Sequence, residues 1–251
     1  SVEAMSEGLK NPERVVGFHF FNPVAIMPLL EVARTTKTDD ATTATAVNVG
    51  KELKKTMVIT KDAPGFVVNR LLTRFMGEIT DAMDEGTPPE IADNAMRSIG
   101  FPMSPFELLG LVGPGVALHV SETLNKNLGP RYKISPTMQA MVKAGIRTFY
   151  IKDDKGGLIA NPEAVALIVS GDKSSTAEQV RSRALTALAE EARMMLDEGV
   201  VATPAEIDLC MLLGAGWPMH LGGILPYLDR EGISESVSGK RFHQPGIASL
   251  P

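Results

Sequence analysis

Cysteine is almost missing from this chain. Cys210 stands alone among 251 residues, which excludes an internal disulfide framework and fits a reducing compartment. It falls on an apolar helical stretch, where a packed thiol is the plain reading. No basic run is interleaved with aromatics and the formal net charge is −5, so no nucleic-acid partner is expected. The four histidines show no metal-ligand spacing, alone or with the cysteine, so no metal is expected. No G-x-G-x-x-G follows a strand, so nothing here reads as a pyrophosphate cradle. No secretory leader is visible. One segment, Leu209 to Leu228, is long enough to span a bilayer and has only His220 as a strongly polar side chain. Four glycines and two prolines break it into short pieces. Its twin elsewhere in the chain carries Arg97, Ser98, Ser104 and Glu107, so no transmembrane segment is expected.

That twin belongs to a long internal repeat. Arg70-Leu71-Leu72-Thr73 opens a stretch ending Asp84-Glu85-Gly86, and Arg183-Ala184-Leu185-Thr186 opens another ending Asp197-Glu198-Gly199. At this offset Glu78 meets Glu191. After a three-residue insertion, Thr87-Pro88-Pro89-Glu90-Ile91 aligns with Thr203-Pro204-Ala205-Glu206-Ile207, and Gly100-Phe101-Pro102-Met103 with Gly216-Trp217-Pro218-Met219. A period this long is a duplication, not a solenoid. Asn69 in the first copy becomes Ser182 in the second, and His19 and Glu31 have no counterpart there. The first half therefore reads as the working half. Arg70 recurs as Arg183, which marks it as a fold-holding ion-pair residue and not a ligand.

Periodicity predicts a short helix over 1–10, strands over 14–21 and 26–34, a helix over 39–55 and a brief strand over 57–60. A long helix over 66–85 is closed by Gly86. Further helices open at Pro88 and Pro105. Residues 129–172 read as a linker, and a second helical set follows the capping pattern at Ser175-Thr176-Ala177-Glu178. The opening Ser1-Val2-Glu3 lacks an initiator methionine, so a piece of a longer polypeptide is expected.

Two apolar strands flanking Asn22-Pro23-Val24, paired antiparallel about Ala25, would set position 19 opposite position 31. Cross-strand partners on one face have Cβ atoms about 5 Å apart. His19 and Glu31 would then form an imidazole–carboxylate pair, in which the acid fixes the tautomer and steadies the ring for proton transfer. The plainer alternative is a satisfied core histidine beside a surface glutamate. Asn69 follows Ala63-Pro64-Gly65-Phe66 at a helix start, where its amide could donate to a substrate carbonyl or merely bond locally. His119 reads as a packed or edge histidine, His220 has no carboxylate near it in sequence, and His243 lies in the tail.

The run Pro12 to Pro23, together with Leu30-Glu31-Val32, Pro64 to Arg70 and Gly100 to Leu108, resembles the L-3-hydroxyacyl-CoA dehydrogenase family. The repeated helical part is similar to the C-terminal part of that family's long form, the α-subunit of the fatty-acid oxidation complex. The resemblance implies a mainly α fold: two tandem duplicated helical domains preceded by the last β-strands of a truncated Rossmann-type coenzyme domain. The expected domains are 1–62 for the coenzyme-domain piece, 63–128 for the catalytic helical copy, 129–172 for the linker and 173–251 for the structural copy. It also implies His19 as general base, Glu31 as its orienting acid, Asn69 as substrate contact and Asn22 near the nicotinamide. The implied reaction is NAD-dependent oxidation of 3-hydroxyacyl-CoA to 3-ketoacyl-CoA. The implied partners are an acyl-CoA substrate and a β-ketothiolase subunit, with a homo-oligomer left open. The resemblance places the family's glycine-rich coenzyme segment before Ser1, so these residues alone are expected neither to bind NAD nor to turn over. The bacterial cytoplasm is the expected location, the mitochondrial matrix the alternative. Two other readings stay open: a non-catalytic dimerisation or docking scaffold, and a different hydroxy-acid dehydrogenase.

Overall fold

The computed structural model describes residues 1–169 and 171–247. Ser1 caps helix α1 (Val2–Ser6), its side chain accepting from the Ala4 amide. Strands β1 (Val16–Phe20) and β2 (Leu29–Arg34) follow, then helix α2 (Asp40–Glu52), capped by Asp39, and strand β3 (Thr56–Lys61). The long helix α3 (Val68–Glu85) leads to α4 (Pro89–Asn94), α5 (Pro105–Val112) and α6 (Pro114–Leu128). Next come α7 (Pro136–Ala144), the hairpin strands β4 (Tyr150–Lys152) and β5 (Leu158–Ala160), and α8 (Pro162–Val165). Helices α9 (Ala177–Asp197), α10 (Pro204–Gly214), α11 (Ile224–Arg230) and α12 (Ile233–Ser238) close the order. Among the described residues no helix is long and apolar enough to cross a membrane.

The chain divides into two compact units, one of Ser1–Leu71 with Ala189–Pro251 and one of Leu72–Leu188. The first unit is built on a sheet of order β1-β2-β3. β1 runs antiparallel to β2, with His19 opposite Glu31. β2 runs parallel to β3, which requires the crossover that α2 supplies. β2 is the central strand, and Leu29 through Ala33 are all buried. Helix α2 lays Ala46 against Leu30 and Val32, with Val16, Phe18, Phe20 and Met57 packed around them. The later part of the chain returns to this sheet, where the Lys61 amide donates to the Val200 carbonyl at 2.8 Å. Arg70, fully buried, donates through Nε to Glu191 at 2.6 Å and through Nη1 and Nη2 to Glu198 at 2.6 and 3.0 Å. Burial opposes its charge, but the bonds to Glu198 and Glu191 prevail and push Arg70 above its ordinary value.

In the second unit Arg183 reaches the repeat-related acids, donating to Glu78 at 3.2 Å and Glu85 at 2.6 Å, and also to Asp81 at 2.9 Å. Its core holds Phe75, Ile79, Met83, Met96 and Met141. Phe106 stacks on Phe149 at 4.5 Å. Ser104 and Glu107 form a capping box at the start of α5. Asp93 accepts from the Phe106 amide at 2.7 Å and from the Tyr150 hydroxyl at 2.5 Å.

This architecture corrects the expected mainly α fold of a sheet remnant and two tandem helical domains. The sheet and α2 form an α/β layer, and the compact units cut across the sequence copies. The physical reason is visible at Arg70 and Lys61, which hold the stretch after Ala189 to the first unit. Residues 129–172, read from sequence as a linker, contain α7, the β4–β5 hairpin and α8 among their described residues.

Candidate active site

The site is assembled where β1, β2 and the start of α3 meet in the first unit. Because β1 and β2 pair with 19 opposite 31, both side chains emerge on the same face. The His19 Nδ1 lies 2.6 Å from the Glu31 Oε2, the Glu31 side chain is 0% exposed, and that of His19 keeps 27% exposure. The other carboxylate oxygen, Oε1, accepts the backbone N–H groups of Val67 and Val68 at 3.1 and 3.0 Å. Those are amides at the start of α3, which have no intrahelical acceptor and favour a negative charge. A carboxylate that accepts on both oxygens leaves the imidazole to donate, so the network places the proton of a neutral ring on Nδ1. The Nε2 lone pair is then available as a proton acceptor.

A turn aims those amides. Gly65 and Phe66 both have positive φ, 75° and 46°. For Phe66 this left-handed conformation costs on the order of 1–2 kcal/mol. Its ring sits 5.5 Å from the His19 ring, and Phe21 meets His19 edge-on at 4.6 Å. The two aromatics wall the imidazole and limit its rotation. Sequence reasoning missed these parts. Ala63-Pro64-Gly65-Phe66 marks a helix start in the sequence, but nothing in the letters signals that the amides there face Glu31.

Asn69 lies in the first turn of α3, half-buried, directly after the amide that anchors Glu31. Asn22 is exposed, just past the carboxyl end of β1. His119 and His220 are exposed. His243 is held elsewhere in the unit, its Nε2 2.7 Å from Asp208 Oδ2. Among the described residues no group of three or more acidic, histidine or cysteine side chains could hold a metal.

His19 and Asn22 lie at the carboxyl end of β1, beside the amino end of β2. A dinucleotide also needs a cradle for its phosphates. The β2-to-α2 turn is no phosphate cradle. Its Thr36 amide is taken by Glu3, and its Lys37 and Thr38 amides by Thr35 Oγ1.

Residues 1–63 match the family model of the 3-hydroxyacyl-CoA dehydrogenase NAD binding domain, and residues 65–148 that of the 3-hydroxyacyl-CoA dehydrogenase C-terminal domain. The chain is 34% identical to the fatty acid oxidation complex subunit alpha of Acinetobacter baylyi, over 98% of this chain and 38% of that relative. It thus spans well under half the length of this relative. The crystal structure of 3-hydroxybutyryl-CoA dehydrogenase from Escherichia coli K12 superposes with a TM-score of 0.72 over 98% of this chain and 71% of that one. At 21% identity this likeness speaks for the fold alone. The (S)-3-hydroxybutyryl-CoA dehydrogenase of Ralstonia eutropha is 34% identical, with a TM-score of 0.56 over 59% of this chain and 53% of that one. These matches complete the correction to the fold: an NAD-binding domain segment of Rossmann type is followed by a helical C-terminal domain. The chain belongs to the 3-hydroxyacyl-CoA dehydrogenase family.

Proposed function

We propose that these residues carry the substrate-side chemistry of an NAD-dependent L-3-hydroxyacyl-CoA dehydrogenase of fatty-acid β-oxidation. The observation that carries the reading is the His19–Glu31 contact at 2.6 Å, with Glu31 pinned on its far oxygen by two backbone amides. His19 accepts the proton of the 3-hydroxyl at Nε2. Glu31 holds the ring in the tautomer that leaves Nε2 open, and it stabilises the imidazolium that forms. NAD, when bound, supplies the acceptor for the hydride leaving C3. Asn69 donates its amide to the thioester carbonyl and keeps the acyl group in line. Asn22 borders the nicotinamide. A positioned general base contributes about 10²- to 10⁴-fold.

The acyl-CoA substrate follows from this reading. The β-ketothiolase partner draws support from the relative named as a complex subunit, and the bacterial cytoplasm from that relative's bacterial source. Residues 1–251 alone are expected neither to bind NAD nor to form NADH, because no G-x-G-x-x-G follows a strand among them. The test joins this chain to a glycine-rich dinucleotide-binding segment and follows NADH formation. 3-Hydroxyacyl-CoA thioesters are expected to react and free hydroxy acids to be poor substrates. Preference for free acids would overturn the substrate class.

A further inference from the structure

We infer that Gly214 is a positioning residue for the His19–Glu31 pair, reaching it from the second copy of the repeat. The inference rests on the proposed role of His19. Gly214 is the last residue of α10. A Cβ placed there would lie 2.6 Å from Leu29 Cδ2, 2.9 Å from Val68 Cγ2 and 3.4 Å from Phe21 Cε1. Each neighbour holds one part of the pair. Leu29 is two residues before Glu31 on β2, so it shares that side chain's face. Val68 gives its amide to Glu31 Oε1 at 3.0 Å. Phe21 meets the His19 ring edge-on at 4.6 Å. One small residue therefore touches the strand, the helix start and the ring wall that together fix the acid and the imidazole.

The glycine is not explained by its backbone. Gly214 has no positive φ, so any residue could adopt its conformation. Glycine in a helix is disfavoured by roughly 1 kcal/mol against alanine. The close approach of α10 to β2 is what requires it. At the repeat-related position stands Ser98, exposed and accepting a bond from Arg181 at 2.9 Å. The first copy has room for a side chain there and the second does not. One helical turn before Gly214, on the same face of α10, Cys210 is fully buried. Its thiol is pushed up by burial first and then by the charges of Glu31 and Glu206. The second copy, which lacks its own histidine, acid and asparagine, thus shapes the site of the first.

The experiment reads the pair directly in the purified chain. A histidine Nδ1 proton shared with a carboxylate at 2.6 Å gives a low-field proton resonance. His19→Gln assigns it, and His243→Gln removes the signal of the His243–Asp208 pair. Gly214→Ala is expected to move the His19 resonance upfield, and Gly214→Val to abolish it. Gly115→Ala, a helical position with no atom within 4 Å of its Cβ, is expected to leave it unchanged. Leu29→Val in the Gly214→Ala background removes the nearest clashing atom, leaves Val68 Cγ2 at 2.9 Å, and is expected to return the resonance part of the way. If the valine variant does not fold by circular dichroism, the alanine variant and its Leu29→Val rescue decide. An unmoved resonance in folded Gly214→Ala, or no rescue by Leu29→Val, overturns the inference. The resonance reports geometry whatever chemistry the pair performs. Turnover is read separately, in the chain joined to a glycine-rich dinucleotide-binding segment. An unmoved resonance alongside turnover there that depends on His19 sinks Gly214 alone. A moved resonance alongside turnover there that is indifferent to His19 sinks the proton-acceptor role alone.

Discussion

Arg70 gives its Nε to Glu191 at 2.6 Å, and the relationship is reciprocal: Arg183, the repeat partner of Arg70, bonds Glu78, the repeat partner of Glu191. The same holds two turns on, where Arg70 meets Glu198 and Arg183 meets Glu85. Each arginine reads the acids of the other copy, as the two sides of an isologous contact do. The environments differ. The Arg70 side chain is fully buried, while that of Arg183 is 30% exposed. Removing one member of a fully buried pair strands a charge and costs about 3–5 kcal/mol, whereas Arg183 and its acids keep 12–36% exposure, where water screens the charges left behind. Arg70→Ala is therefore expected to lower unfolding stability more than Arg183→Ala. Urea titration of both variants measures this, and equal losses would contradict it. Arg70→Met with Glu191→Leu is expected to recover part of the deficit, because no charge is then left buried at position 191.

Glu31 has separable duties. Glu31→Ala orphans the Val67 and Val68 amides as well as the imidazole, and each orphaned buried donor costs about 1–3 kcal/mol. Glu31→Gln keeps a carbonyl oxygen for those amides but loses the charge that stabilises the imidazolium. The glutamine variant is expected to stay nearer wild type in thermal stability and yet fall in turnover. A glutamine variant with undiminished turnover would remove the acid from the proposed mechanism.

Asp208 gives a pH signature. Burial, the largest influence, raises its carboxyl from the ordinary 3.8 to about 6, against the bonds from the Leu225 amide and His243 that pull it down. With the folded value above the unfolded one, the native state binds more protons in between. This group's contribution to stability is thus full below about 3.8 and is lost as pH rises through about 6. Asp208→Asn is expected to flatten that fall. Urea midpoints from pH 4 to 7 for both proteins test it. A gap between wild type and variant that widens in favour of wild type as pH rises would give the opposite sign.

The sheet was legible where local pattern sufficed. Apolar runs on either side of Asn22-Pro23 place 19 opposite 31 by symmetry about Ala25, and the structure pairs these residues. Gly86 marked the end of α3 at Glu85. The fold class was misjudged because a few short strands were outweighed by long helical periods, although α2 makes β2 and β3 a parallel unit. The hairpin of Tyr150–Lys152 and Leu158–Ala160 has three residues per strand, too few for a period-two signal. The anchoring of Glu31 by the Val67 and Val68 amides was hidden for another reason. Backbone donors have no letter in a sequence, and the positive φ of Phe66 that aims them belongs to a residue type that rarely adopts it.

The central claim is that His19 takes the substrate proton. Its most direct test is steady-state kinetics of His19→Gln in this chain joined to a glycine-rich dinucleotide-binding segment, with a 3-hydroxyacyl-CoA as substrate. Turnover is expected to fall by about 10²- to 10⁴-fold with KM little changed, as for loss of a group that acts in the transition state. Turnover equal to wild type, or a rise in KM with turnover preserved, would contradict the account.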